Sequence, residues 1–219
     1  VDAINYPGSM VVIACPGSGK TTVMTEKIIN VTENLPSYKG VIAITFTVKA
    51  SQELKKRCKR NGHNTKKSYF GTIDGFCLKE IIYPFLSRVW GGNPEERKII
   101  KKLSDEQKGI LSKIYSSPTT EDVVSDAGFQ QLYNQGVLWI SCVSALAVVV
   151  LRESFSARRY IEAKYTHVFI DEYQDSSEAQ HQLLKCLLNL GLIAVVVGDA
   201  DQTIYEFREY KTQPRCIDL

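Results

Sequence analysis

An apolar run that passes directly into a glycine-rich turn constrains the fold of this chain most. Residues 10–15 read Met-Val-Val-Ile-Ala-Cys and residues 16–22 read Pro-Gly-Ser-Gly-Lys-Thr-Thr, after which apolar residues recur at helical spacing. A strand, a glycine-rich turn that ends in Gly-Lys-Thr, and a helix are the pattern of a phosphate-binding loop. The alternative is a glycine-rich turn that binds nothing.

The residues of this loop have separate expected roles. Gly17 and Gly19 can adopt backbone angles that other residues avoid, so that successive N–H groups point toward a phosphate at the start of a helix. Lys20 would reach the β- and γ-phosphates of ATP, and the Thr21 hydroxyl would bind Mg²⁺. The predicted nucleotide-binding residues are Pro16, Gly17, Ser18, Gly19, Lys20, Thr21 and Thr22.

The positive charge of the chain is concentrated in one place. The net charge is only +3, but residues 49–67 hold eight Lys or Arg against the single acid Glu53. This locus indicates a local contact with a polyanion rather than a wholly basic coat. Its cations could bind DNA phosphates, or they could form a solvated helix end that complements the helix dipole. The sequence leaves these two interpretations open.

Composition and cysteine spacing exclude several other classes of protein. A chain of 219 residues with 44% hydrophobic content can bury one core and a small satellite subdomain. The six cysteines form no C-x-x-C pair, which indicates a cytoplasmic protein with reduced thiols. The longest apolar run, residues 137–151, is shorter than the ~20 residues that span a bilayer, so we expect a buried helix and no membrane partner. Because the chain opens on Val1 without an initiator Met, we expect a piece of a longer protein.

Buried strands alternate with helices along most of the chain. Continuous apolar runs rich in β-branched residues predict strands at 41–46, 68–71, 167–170 and 193–197, with helices between them. Residues 93–163 show no strand alternation, and we expect an all-helical insertion there. The prediction is therefore an α/β fold in which 1–92 and 164–219 form one domain around a central parallel sheet.

A pair of acids follows one of these predicted strands. Asp171 and Glu172 would lie at the carboxyl end of the strand, on the sheet edge from which the glycine-rich turn also leaves. Asp171 would hold the Mg²⁺ that bridges the β- and γ-phosphates, and Glu172 would orient the attacking water. Alone, such a pair is more often an acidic turn that caps a helix. With Lys20 and Thr21 upstream, the metal site becomes the favoured interpretation.

Five segments of the chain, in the correct order, resemble the superfamily 1 DNA helicases of the UvrD/Rep type. They are residues 14–21, 44–50, 71–76, 171–175 and 197–208, which are similar to motifs I, Ia, Ib, II and III of that family. The resemblance covers the sheet-forming parts of the chain and hardly touches the insertion. It implies a RecA-like P-loop ATP-binding domain, the first of two motor domains, that uses ATP and Mg²⁺ and binds single-stranded DNA.

The resemblance also assigns roles to single residues. It implies that Gln202 senses the γ-phosphate and acts with Lys20 and Glu172 in catalysis. The DNA contacts that it implies are Phe46, Thr47, Lys49, Thr72, Tyr205 and Phe207. Bases can stack on the aromatic members, although each of these could instead be a core residue. Asp74 stands where many relatives have His, so we expect it to cap a helix or to bond a neighbouring backbone amide.

Two functions from different classes remain open. In the first, the chain couples ATP hydrolysis to movement on single-stranded DNA, and the resemblance suggests the 3′ to 5′ direction. The resemblance further implies a C-terminal second RecA-like domain beyond Leu219, whose arginines complete the ATP site, so that these 219 residues alone turn ATP over very slowly. In the second, the chain is a non-motor P-loop module, which serves a nucleotide-dependent interaction or regulatory role. The sequence names no protein partner.

Overall fold

The chain folds around a five-stranded parallel sheet in the computed structural model, which describes residues 2–13 and 19–198. The strands are β1 Met10–Ile13, β2 Gly40–Ile44, β3 Tyr69–Gly71, β4 Lys98–Ile100, β5 Val137–Trp139, β6 Tyr165–Ile170 and β7 Ile193–Gly198. The large sheet has the order β1-β7-β6-β2-β3, and a separate pair joins β4 to β5. This is the α/β, RecA-like arrangement that the sequence predicts, and that prediction is confirmed.

Helices connect the strands. The α-helices are α1 Asp2–Asn5, α2 Lys20–Glu33, α3 Val48–Cys58, α4 Ile73–Phe76, α5 Tyr83–Phe85, α6 Asp105–Lys108, α7 Thr120–Ser125, α8 Gly128–Asn134, α9 Val143–Glu153, α10 Phe155–Lys164 and α11 Glu178–Asn189. Shorter 3₁₀ turns cover Arg60–Gly62, Leu86–Arg88, Pro94–Glu96, Ile140–Cys142 and Tyr173–Asp175. A π-helical segment, Cys77–Ile82, lies between α4 and α5.

All neighbouring strands of the large sheet run parallel. The register pairs Ile44 with both Gly71 and Ile170, and it pairs Ile13 with Gly198. The carboxyl ends of all five strands therefore meet at one edge of the sheet, which we call the carboxyl edge. The opposite edge, where the strands begin, is the amino edge.

By packing, the chain divides into two units. The first comprises 1–72, 164–176 and 191–219, and the second comprises 73–163 and 177–190. The division drawn from the sequence, with 1–92 and 164–219 against 93–163, stays a prediction. Packing groups residues 73–92 and 177–190 with the insertion, because the segment Cys77–Ile82 and helix α11 both contact α9.

The core of the first unit lies between one face of the sheet and two helices. Met24 and Ile28 of α2 and Leu54 of α3 pack against alternate strand residues, among them Val41 and Phe169. Lys27, also buried, donates hydrogen bonds from its Nζ to carbonyl oxygens at the end of α1, including that of Ala3 at 3.1 Å. The buried ammonium thus ties the N-terminal segment to α2.

The second unit corrects the expectation of an all-helical insertion. Lys98–Ile100 and Val137–Trp139 form a parallel pair of three-residue strands. Because three residues are too few to show strand alternation, the sequence pattern merges the second strand, Val137–Trp139, with the helix that follows. That helix, α9, is buried from Val143 to Leu151.

In the described part of the chain no single helix is long and apolar enough to cross a membrane. One pair of helical segments, Ile140–Glu153 and Phe155–Lys164, is long and apolar enough when taken together, but the pair is bent by 102°.

Helix boundaries agree with the sequence at most ends. Thr47 caps α3, because its Oγ1 accepts a hydrogen bond from the Ala50 N–H at 3.1 Å. The cap of α11 is Ser177, although the adjacent Ser176 is also a residue type suited to this position. Ser177 forms a reciprocal capping box with Gln180, which Ser176 is one residue too early to form.

Acid should destabilise the first unit through His167 on β6. Burial, and secondly the positive charge of Lys27, lowers the pKa of His167 from 6.5 to about 4. Because the folded pKa lies below the unfolded value, the unfolded chain binds the proton more readily, and the free energy of unfolding falls as the pH drops through this window. We expect a loss of about 1 kcal/mol between pH 7 and pH 5, discounted for the partly solvated ring.

Urea unfolding at the two pH values measures this loss. The variant His167→Gln removes the titrating group and should lose less stability on acidification than the parent chain. Equal losses in the two proteins would contradict the assignment to His167.

Candidate active site

The start of α2 provides the first half of the site. Gly19 has φ +86° and ψ +16°, a left-handed conformation that glycine adopts without strain, and its carbonyl accepts hydrogen bonds from Thr22 and Val23 at 2.9 and 3.0 Å. The helix that follows has fourteen residues and no acid in its first turn. Its N-terminal N–H groups and its dipole make this end attractive to an anion. Lys20 and Thr21 are half-buried here, and Thr22 is exposed.

The acidic pair predicted from sequence provides the second half. Asp171 follows β6, and its N–H donates to the Ile44 carbonyl of β2 at 3.0 Å, which fixes the backbone at the strand exit. Its Oδ1 accepts a hydrogen bond from the Glu172 N–H at 3.2 Å. Burial, followed by the negative charge of Glu172, raises the pKa of Asp171, and the positive charge of Lys20 acts in the opposite direction. The fold therefore brings Lys20 within electrostatic reach of Asp171.

Glu172 is held in an unusual backbone conformation. Its φ of +54° and ψ of +46° lie in the left-handed region, which non-glycine residues rarely occupy and which costs about 1 kcal/mol. The Gln174 Nε2 donates to the Glu172 carboxylate at 2.6 Å, so the side chain also has a fixed direction. A Cβ placed on Gly198, at the end of β7, would lie 3.0 Å from the Gln174 Oε1, which shows how closely this turn approaches β7.

Gln174 contacts the candidate site, and sequence reasoning does not identify it. It lies within the acidic segment 171–175, but nothing in its spacing distinguishes a residue that orients Glu172 from an ordinary polar residue of a turn. The two side chains meet in the turn in which Glu172 adopts the left-handed conformation.

The residues present fit a magnesium ion shared with a nucleotide. Within residues 2–13 and 19–198, no group of three or more His, Cys, Asp or Glu side chains is placed to hold a metal alone. Mg²⁺ is typically bound by one or two protein oxygens together with phosphate oxygens and waters. The half-buried carboxylate of Asp171, whose anionic form is disfavoured without a cation, suits that use.

Predicted DNA contacts lie at the same carboxyl edge. Phe46 follows β2 and is 70% exposed, so it is not a core residue. Thr47 and Lys49 are exposed at the start of α3. Thr72 follows β3, where its carbonyl accepts a hydrogen bond from the Tyr69 hydroxyl at 3.2 Å. The Thr45 N–H donates to the Gly71 carbonyl at 3.1 Å and joins the two strand exits.

The structure does not describe six of the predicted site residues, and it corrects one further prediction. Pro16, Gly17, Ser18, Gln202, Tyr205 and Phe207 lie outside the described residues. Asp74 does not cap α4, because the helix begins at Ile73 and places Asp74 in its first turn. Burial raises the pKa of the Asp74 carboxyl.

Comparisons with known proteins show which proteins this chain is similar to. A family model described as AAA domain matches residues 1–208. The chain is 34% identical to the Gabija protein GajB of Bacillus cereus, over 92% of this chain and 38% of that protein. It is 25% identical to the ATP-dependent DNA helicase Rep of Buchnera aphidicola, over 97% of this chain and 37% of that protein. It is 27% identical to the ATP-dependent DNA helicase PcrA of Staphylococcus epidermidis, over 92% of this chain and 32% of that protein. The chain thus spans about a third of the length of these relatives.

Removing the charge of Asp171 should stabilise the chain in the absence of nucleotide. Its raised pKa means that the ionised carboxylate opposes folding at neutral pH. The variant Asp171→Asn keeps the oxygen that accepts from Glu172 and should raise the free energy of unfolding by about 0.5–1 kcal/mol, a modest gain because the group is half-buried.

Urea unfolding with and without Mg-ATP tests both halves of this expectation. The unsubstituted chain should gain stability from Mg-ATP, and Asp171→Asn should gain much less. Asp175→Asn is the matched control, because it removes an exposed carboxylate four residues further on. The same stabilisation in both variants would contradict the specific role of Asp171.

Proposed function

Because the chain belongs to the AAA domain family and is homologous to ATP-dependent DNA helicases of the UvrD/Rep/PcrA type, we propose that it is the first motor domain of such an enzyme. In this proposal it binds Mg-ATP and couples hydrolysis to movement on single-stranded DNA, in the 3′ to 5′ direction. The proposal extends to the whole parent protein, of which this chain supplies one ATP-binding face.

The groups that meet at the carboxyl edge give the proposal its strongest support. The carboxyl edge brings together the start of a fourteen-residue helix, the Lys20 ammonium and the raised-pKa carboxylate of Asp171. The helix start and the lysine favour phosphate anions, whereas the carboxylate favours a cation. A nucleotide triphosphate with its metal ion satisfies both demands at once.

The residues at this edge divide the work of phosphoryl transfer. Lys20 and the N–H groups at the start of α2 bind and orient the phosphates, and Thr21 and Asp171 hold Mg²⁺. When bound, the ion neutralises the charge that develops on the phosphate oxygens. Glu172 accepts the proton of the attacking water, and the hydrogen bond from Gln174 fixes the direction of its carboxylate.

Exposed groups at the same edge support a DNA track. Phe46 offers an aromatic face to solvent one strand away from Asp171. Stacking of a base on such a face contributes about 1–3 kcal/mol and tolerates any sequence, which suits a motor that moves along DNA. We propose that Phe46, Thr47, Lys49, Thr72, Tyr205 and Phe207 line this track and that Gln202 relays the state of the γ-phosphate to it.

Full catalytic power requires groups from a second RecA-like domain. Arginines supplied in this way are worth about 10³–10⁵ in rate in related phosphoryl-transfer enzymes. We therefore propose that the 219 residues bind Mg-ATP weakly, turn it over very slowly and do not unwind duplex DNA.

ATP hydrolysis by the parent protein, with and without single-stranded DNA, tests the proposal. We expect DNA to raise the rate at least tenfold. Lys20→Ala should weaken ATP binding by tens of fold, because it removes a charge-assisted hydrogen bond worth about 1.5–3 kcal/mol. Glu172→Gln should leave ATP binding intact and lower the rate about 10²–10⁴-fold, because a general base is removed.

The same assay separates the two classes of function. If the chain were a non-motor regulatory module, its hydrolysis rate would be equal with and without DNA. Lys79→Ala, at an exposed lysine of the second unit, is the charge-matched control for Lys20→Ala and should behave as the parent.

A further inference from the structure

The basic locus of the sequence lies at the amino edge of the sheet, opposite the candidate active site. Helix α3 joins the parallel strands β2 and β3, so it runs back across the sheet and ends near the points where the strands begin. The Lys67 N–H donates to the Lys39 carbonyl at 3.1 Å, which places the start of β3 directly beside the start of β2. Residues distant in sequence thus meet at this edge.

Seven cations gather there, and we call them the amino-edge surface. They are Lys39, Lys55, Lys56, Lys59, Arg60, Lys66 and Lys67. Five of the seven are exposed, whereas Lys39 and Lys66 are half-buried. The sequence from Leu54 to Phe70 contains no Asp or Glu.

Three acids lie near these cations: Glu26 and Glu33 line a cavity together with Arg60, and Glu53 lies on α3. Glu53 bonds the Arg57 guanidinium at 2.9 Å, and Glu33 lies 3.6 Å from the His63 ring. In the part of the chain that the structure describes, no ion pair involves any of the seven cations. The hydrogen bond from Arg57, together with the charges of Arg57, Lys56 and Arg60, lowers the pKa of Glu53, and partial desolvation acts in the opposite direction.

The helix dipole does not account for this surface. Cations in the last turn of α3, such as Lys55 and Lys56, complement the negative end of the helix. Lys39, Lys66 and Lys67 belong to loops and have no such role. Their approach is built into the backbone, because a Cβ on Gly40 would collide with the Lys67 carbonyl carbon. Only glycine at position 40 permits this close packing of the two strand starts.

An exposed aromatic ring lies beside the cations. Tyr38 is 65% exposed and immediately precedes Lys39, in a turn closed by the hydrogen bond from the Lys39 N–H to the Pro36 carbonyl at 3.1 Å. A single exposed ring needs no explanation by itself. A positively charged surface with an exposed aromatic ring is the combination by which proteins hold single-stranded nucleic acid.

We propose that the amino-edge surface is a second binding site for single-stranded DNA, in which the cations contact phosphates and Tyr38 stacks on a base. Strand β2 has five residues, so this site lies about 17 Å from the carboxyl edge, where Phe46 is exposed. The site rests on the proposed function and adds to it a DNA contact that lies outside the DNA track at the carboxyl edge. The site binds DNA whether or not hydrolysis is coupled to movement.

Fluorescence anisotropy with a labelled oligothymidylate tests the phosphate contacts. The edge variant carries Lys55→Gln, Lys56→Gln, Lys59→Gln and Lys67→Gln, all at exposed positions. We expect it to bind at least tenfold more weakly than the parent at moderate salt. The slope of log K against log salt should fall by about 0.7 for each phosphate that the variant no longer binds.

A matched control removes the same charge elsewhere. It carries Lys79→Gln, Lys98→Gln, Lys102→Gln and Lys185→Gln, four exposed lysines of the second unit. The control should bind within about twofold of the parent. Thermal unfolding of both variants should match the parent, because exposed lysines contribute little to stability.

Substitution of Tyr38 tests whether the amino-edge surface binds single-stranded DNA by stacking, rather than any polyanion. Tyr38→Ala should weaken binding of the oligothymidylate about fivefold or more, and Tyr38→Phe should retain it, because stacking needs the ring and not the hydroxyl. Binding of duplex DNA and of heparin should not respond to Tyr38→Ala.

Three results would overturn the proposal. The first is an edge variant that binds like the parent while Phe46→Ala abolishes binding, and the second is an equal loss in the edge variant and its control. The third is a Tyr38→Ala variant that binds like the parent, which would reduce the surface to a general polyanion or duplex site. A failure of the motor proposal is recognised separately, because DNA would then not stimulate hydrolysis while the edge variant would still bind DNA more weakly.

Discussion

Parallel pairing of all five strands is the constraint on which the first unit depends. Because every strand ends at the same edge, the chain segments that leave β2, β3 and β6 are neighbours in space although about a hundred residues or more separate β6 from the other two. Backbone hydrogen bonds at this edge, from Asp171 to Ile44 and from Thr45 to Gly71, fix the exits against each other. The helix that must follow β1 then presents its positive end to the same place. Candidate chemistry at this edge is thus a consequence of strand direction.

This edge carries local costs that the core offsets. Glu172 is held in a left-handed conformation, and the half-buried carboxylate of Asp171 lies beside a second acid and has a raised pKa. Such features persist only where the surrounding structure determines them. Here the support comes from buried strand residues such as Val168 and Phe169, directly before the acidic pair, and from Val195 of the neighbouring strand. Stability is concentrated in the sheet, and strain is concentrated where the strands end.

Periodicity and turn chemistry are sufficient to predict the elements of the sheet. Helix α2, strands β2 and β6 and the cap at Thr47 follow from local sequence, because each has a long or chemically distinct signal. The short strands Lys98–Ile100 and Val137–Trp139 could not be predicted, since their only signal is a partner distant in the chain. The contact between Gln174 and Glu172 and the gathering of Lys39 with Lys67 likewise depend on tertiary structure. The exposure of Phe46 could not be predicted from the sequence either, because an aromatic residue after a buried strand is equally consistent with a core position.

Hydrogen–deuterium exchange of the chain with and without Mg-ATP tests most directly whether the carboxyl edge is the nucleotide site. If it is, the backbone amides of residues 19–23 and 171–175 should exchange several-fold more slowly in the presence of Mg-ATP. Chelation of the metal should remove most of that protection, and the amides of residues 59–68 at the amino edge should not change. Protection confined to other segments, or no protection at residues 19–23 at saturating nucleotide, would contradict the account.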